Sequence, residues 1–199
     1  MLFLHGKSTS GPNFAERLRP FTDTLPPGTP LSFPTSPRGL EWWTLPPGVR
    51  SATAEEYPGY DSSEAFVLAQ LAERPHSAVL GQSQGAILLL AMLARGKLPG
   101  GAGAPNLVLN GVQYPGPFAE LLESLNQDPP PEQERYPGRV LLLVGENDGI
   151  APPAGAGRCA AVLGKLVRGG NFEVCGHPGD HGVPVEGEAA DAMRRVMCG

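Results

Sequence analysis

Ala78 to Leu90 reads AVLGQSQGAILLL, a Gly-Gln-Ser-Gln-Gly pentad set between two apolar runs. The first run predicts a strand, Ala78 to Leu80, and the second a helix, Ala86 to Ala94, with the pentad as a sharp turn between them. This is the context in which a G-x-S-x-G sequence holds a serine on a nucleophile elbow. The glycines have a physical reason to be there. An elbow strains the serine backbone, and strand and helix approach so closely that side chains at Gly81 and Gly85 would clash. The N-terminus of the following helix then faces the negative charge that develops at the serine.

Outward from this turn, short apolar runs alternate with helical patterns. The strand candidates are Leu2 to His5, Leu31 to Phe33, Ala78 to Leu80, Leu107 to Asn110, Val140 to Val144 and Phe172 to Cys175. Between and after them lie helical segments at Ala15 to Phe21, Ser62 to Glu73, Ala86 to Ala94, Phe118 to Leu125, Gly155 to Leu166 and Glu186 to Met197. Such alternation implies right-handed crossovers and a mainly parallel sheet of about six strands, with helices on both faces. The fold class is α/β. At 199 residues the chain fits one domain with a substantial core. DSSE at Asp61 to Glu64 resembles a capping box, Pro75 closes the helix it opens, and Gly96 ends the helix after Ser83.

Composition narrows the function classes. A 41% hydrophobic and 18% charged chain is globular, and its 27 Gly and 23 Pro concentrate in a few stretches that read as long ordered loops. One of these, from Pro34 to Tyr60, carries Trp42, Trp43, Tyr57 and Tyr60 and reads as an excursion over the carboxyl edge of the sheet. A net charge of −5 without a Lys/Arg-rich run argues against nucleic acid. The start, MLFLHGKSTS, has too short an apolar stretch for a signal peptide, and no run approaches membrane-spanning length, so the expectation is a soluble, cytoplasmic protein with no membrane partner. Cys159, Cys175 and Cys198 have the spacing of neither a zinc site nor a redox pair.

A serine hydroxyl is a poor nucleophile at neutral pH, so an elbow serine needs a histidine base and a carboxylate, here in the chain order Ser, Asp/Glu, His. In a parallel sheet the place to look is just beyond the carboxyl ends of the strands. Val140 to Val144 runs into GENDGIAPP, which puts Asp148 in such a loop, with Glu146 and Asp180 as rivals. Phe172 to Cys175 runs into GHPGDHGVP, and His5 and His76 precede Ser83, which leaves His177 and His181 as candidates for the base. His177 otherwise reads as a structural hydrogen-bonding residue, and His5 as a brace for its own loop. An oxyanion hole needs the N–H of the residue after the nucleophile, Gln84, and one from the loop after the first strand, where Lys7 is the expected donor.

Taken together, LFLHG, FPTSP with the EWW segment, YPGYDSSEAFVLAQL, LGQSQGAILL, LLLVGENDGIAPP and HPGDHGVP resemble the small FSH-type serine hydrolases of the α/β-hydrolase superfamily, over Leu2 to Pro184. The resemblance implies a compact α/β-hydrolase fold lacking the first strands of larger relatives, with Ser83, Asp148 and His181 as the triad. The family pattern around the base is similar to H-x-G-G-H-x-V-P, which aligns His181 with the catalytic histidine and puts Asp180 where a glycine is usual. A carboxylate there acts on the base if it reaches the ring, and does little if it points to solvent.

The expected activity is cleavage of a small-molecule carboxylic ester with short to medium acyl chains through an acyl-enzyme, without metal or organic cofactor. Acyl thioester cleavage is the second reading. A non-catalytic small-molecule binding protein on the same scaffold is the rival of another class. Trp42, Trp43 and Tyr114 are the candidates for lining the substrate pocket.

Overall fold

Side chains alternate between faces along each strand and so split the interior into two layers. In the computed structural model, which describes residues 1–199, one sheet is formed by β1 (Leu2–Leu4), β2 (Ala78–Gln82), β3 (Asn106–Asn110), β4 (Val140–Gly145) and β5 (Phe172–His177). The strands lie side by side in chain order, and every pair is parallel. Leu2, Leu4, Leu107, Leu109 and Leu142 face one cluster, covered by α2 (Tyr60–Glu73), α3 (Gln84–Ala94), α4 (Ala119–Gln127) and α5 (Pro153–Leu166). Phe3, Leu80, Val108, Leu141 and Leu143 face the other, covered by α1 (Gly11–Thr22) and α6 (Gly187–Cys198). Helices on both faces of a parallel sheet are the predicted architecture. No helix is long and apolar enough to cross a membrane.

The strand count is five, not the expected six. Leu31 to Phe33 makes a single bridge, Ser32 to Leu2, in which Phe3 N donates to Ser32 O and Ser32 N to Met1 O at 2.9 Å each. Pro30 and Pro34 bracket the segment and carry no N–H, so no ladder extends from it. What the segment contributes is packing: the Phe33 ring stacks on Phe3 at 4.3 Å.

α3 is buried from Gln84 to Leu93, which is why its sequence is apolar all round with no polar face. It ends as expected at Gly96, whose φ of 63° allows Gly96 N to donate to Leu93 O and Lys97 N to Met92 O. α2 begins differently from the prediction. Gly59 caps it in a left-handed conformation, φ 90°, with no side-chain hydrogen bond, and Asp61 lies inside the first turn. Glu64 cannot act as the other half of a capping box, because it is buried and accepts from Tyr60 Oη at 3.0 Å and Arg95 Nη1 at 2.8 Å. The helix closes where Pro75 forces Arg74 into an extended conformation.

Candidate active site

Ser83 sits between β2 and α3 with φ 52° and ψ −115°. For a residue with a Cβ this region costs on the order of 1–3 kcal/mol, so its surroundings must hold it there. Ser83 N donates to Asn110 O at the end of β3, and Ser83 O accepts the first helical hydrogen bond from Ile87 N, both at 2.9 Å. The two glycines are required on steric grounds. A Cβ on Gly81 would lie 2.5 Å from Gly85 O, and one on Gly85 would run into the Leu4 carbonyl of β1.

Asp148 follows β4, is 3% exposed, and divides its two oxygens between two tasks. Oδ1 accepts from the N–H groups of Ile150 and Ala151 at 2.8 and 2.7 Å, while Oδ2 lies 2.7 Å from His181 Nδ1. The local turn role that Asp offers anywhere and the role of orienting an imidazole are therefore both filled. With Nδ1–H donating to the carboxylate, the Nε2 of His181 is left as an acceptor, buried and without a protein partner.

The imidazole is positioned by residues that the sequence did not single out. Gly111, immediately after β3, has φ 61°, and a Cβ there would come within 2.7 Å of His181 Cε1, so the ring occupies the space a side chain would take. The His181 carbonyl accepts from Gln82 Nε2 at 3.2 Å and Asn110 Nδ2 at 3.4 Å. Asp180 makes no hydrogen bond to the ring: its Oδ1 accepts from Gly182 N at 2.9 Å and closes a local turn. Glu146, the other rival carboxylate, is exposed. His177 makes no side-chain hydrogen bond, contrary to expectation. Its Nε2 is buried without a partner, and burial holds the ring below its ordinary pKa, against the opposing pull of Asp148, Asp180 and Glu146.

Ser83 and His181 border one cavity of about 280 Å³, together with Lys7, Arg50, Gln84 and Ile150. Two backbone donors remain unengaged at its edge. Gln84 N–H, at the first position of α3, has no intrahelical partner, and Lys7 N–H finds no acceptor, whereas the next N–H, that of Ser8, donates to Leu40 O at 2.7 Å. The Lys7 ammonium is peripheral, 3.9 Å from Glu41 and 45% exposed. No group of three His, Cys, Asp or Glu stands close enough together to hold a metal ion.

Trp42 and Trp43 do not line this cavity. Both are fully buried: the Trp42 indole N–H donates to His5 O at 2.7 Å, and Trp43 stacks on Tyr57 at 4.4 Å. Their large apolar area goes into the core, and the later part of the same loop, Leu45 to Ser51, supplies the cavity wall. Gln84 ties that loop to the elbow, its Oε1 accepting from Trp42 N at 2.9 Å and its Nε2 donating to Trp43 O at 3.2 Å. His5 braces the same region as expected. Its Nε2 accepts from Ser36 N and its Nδ1–H donates to Gly6 O, so the buried ring is neutral and its pKa lowered. Tyr114 borders a neighbouring cavity, also about 280 Å³, with Arg158 stacked 3.9 Å over its ring.

The sequence matches a family described as serine hydrolase (FSH1) over residues 39–193. No curated protein matches it. Among solved structures, SOBER1 of Arabidopsis thaliana is similar with a TM-score of 0.68 at 19% identity, covering 99% of this chain and 96% of that one. Acyl-protein thioesterase 2 of Zea mays gives 0.67 at 21%, covering 98% and 90%, and esterase PE8 gives 0.67 at 21%, covering 98% and 91%. At these identities the likeness is one of fold, and it is the α/β-hydrolase fold.

Proposed function

The chain belongs to the FSH1 serine hydrolase family, and from that premise we propose that it cleaves carboxylic esters with Ser83 as nucleophile, His181 as general base and Asp148 as orienting carboxylate. The observation that carries the reading is the 2.7 Å contact between Asp148 Oδ2 and His181 Nδ1, beside a serine held at positive φ on the same cavity.

In this mechanism Ser83 Oγ gives its proton to His181 Nε2 as it attacks the carbonyl carbon. The carbonyl electron pair moves onto oxygen, where the N–H groups of Lys7 and Gln84 receive it. Collapse expels the alcohol, which takes the proton from Nε2, and leaves Ser83 acylated. Water then repeats the attack with His181 again as base and releases the carboxylic acid. Asp148 stays ionised throughout and steadies the imidazolium. Two backbone donors, Ile150 N–H and Ala151 N–H, hold the carboxylate in alignment.

An acyl thioester would be cleaved by the same steps with a thiol as leaving group, and the fold shared with an acyl-protein thioesterase keeps that reading second. Matched esters and thioesters of short to medium chain length, tested on the wild type and on Ser83→Ala, separate the readings. The expectation is faster ester turnover, reduced in Ser83→Ala by about 10⁴-fold or more. Most of the activity surviving in Ser83→Ala would overturn the mechanism, and no turnover of any member would favour a binding protein.

A further inference from the structure

We propose that the substrate carries an anionic group, a carboxylate or a phosphate, which Arg50 and Arg158 receive on the far side of the reacting carbonyl. This rests on the ester-hydrolase reading and adds a substrate class to it. The cavity that holds Ser83 and the neighbouring one are bordered by three cationic side chains, Lys7, Arg50 and Arg158, and by no carboxylate. Lys7 has Glu41 at 3.9 Å and Arg158 has Glu123 at 3.0 Å, so Arg50 is the cation without a carboxylate partner, in a chain whose net charge is −5. A cleft lined by one sign of charge concentrates ligands of the opposite sign.

The two cavities are continuous in their walls. Arg50, Gln113 and Ile150 border both. Gln113 fixes the partition, donating to Ile150 O at 2.7 Å and accepting from Ala52 N at 3.3 Å. Each cavity is about 280 Å³, slightly below the range of about 300–1,000 Å³ typical of small-ligand sites. A substrate longer than a short ester has the second cavity, on the other side of Arg50, as room for its far end.

Arg50 is free to take an anion. Its side chain has no carboxylate partner and makes one polar contact, a long one, Nη1 to Gly149 O at 3.4 Å. The Arg158 guanidinium carbon lies 3.9 Å over the Tyr114 ring centroid, and a guanidinium so placed keeps N–H groups for a ligand. Its pairing with Glu123 at 3.0 Å is a surface pair with both side chains 57% exposed, the kind a ligand displaces at little cost. A guanidinium fork matches the oxygens of a carboxylate or phosphate.

The charge has two sources, the far end of the acyl chain or the leaving group. One arm of the test compares 4-nitrophenyl esters of a six-carbon dicarboxylic acid, with one carboxyl free, and of the matched neutral acid. The other compares an acyl-coenzyme A with the same acyl group on N-acetylcysteamine. The expected result is a kcat/KM about tenfold higher for the charged member in one arm, which identifies the source. That ratio should fall toward one in the Arg50→Gln/Arg158→Gln double variant and at about 0.5 M salt. A ratio of one or below in both arms, or a preference unchanged by the double variant, overturns the proposal. If Ser83-dependent turnover of neutral esters persists in that case, the hydrolase reading stands without it; if no member is turned over, both fall together.

Discussion

His181 owes its position to a residue with no side chain. Gly111 leaves the space that the imidazole fills and adopts a positive φ that a Cβ would strain, so Gly111→Ala should move the ring while leaving the sheet intact. A displacement near 1 Å at the base costs about 10²-fold in rate, and that is the expected loss of kcat/KM on an ester, with near-native circular dichroism. Unchanged activity would mean that the ring is held elsewhere. Ser83 and Asp148 were legible as candidates because each follows a strand in the required chain order, whereas strand position left His177 and His181 both open and only the family resemblance pointed to His181. Gly111, Gln82 and Asn110 were not legible. They act through contacts such as Asn110 to His181, 71 positions apart, which leave no local pattern. Asp180 was visible as a departure from the family pattern, but only its bond to Gly182 N showed that it closes its own turn.

At the scale of elements, the loop from Pro34 to Tyr60 and the start of α3 behave as one unit. Gln84 is 2% exposed, and its amide bonds two backbone groups of that loop. Gln84→Leu leaves Trp42 N–H and Trp43 C=O buried without partners, at a cost of about 1–3 kcal/mol for each. The melting temperature should then drop by several degrees, and limited proteolysis between Pro46 and Glu56 should speed up. A melt matching the wild type would show that the loop is held by its tryptophans alone. The sequence placed these aromatic residues in the correct loop but on the wrong side of it, because size and apolarity suit a pocket and a core equally. Periodicity located all six helices, yet it also read Leu31 to Phe33 as a strand, and the DSSE pattern read Asp61 to Glu64 as a capping box. In the first case flanking prolines removed the ladder donors; in the second Glu64 was taken by Tyr60 and Arg95.

For the whole molecule, helices on both faces of a parallel sheet were the most legible feature, since short apolar runs alternate with helical segments along the chain; the uniformly apolar strands Val140 to Leu143 and Leu107 to Leu109 then bury their two faces in opposite clusters. The same burial sets a pH dependence. His5 and His177 are kept neutral by desolvation, with folded-state pKa values below the ordinary value of about 6.5. Unfolding lets them take up protons, so the stability they contribute is full above pH of about 6.5 and is lost as pH falls through the lower folded-state values. Denaturant midpoints measured from pH 7 to 5 should fall, and the fall should be shallower in His177→Gln; a flat profile in the wild type would contradict this. The proposed chemistry turns on a single oxygen atom, Ser83 Oγ. Its most direct test is the intact-protein mass after incubation with a fluorophosphonate probe, on the wild type and on Ser83→Ala. One adduct is expected on the wild type and none on the variant; an adduct on both, or on neither, would overturn Ser83 as the nucleophile.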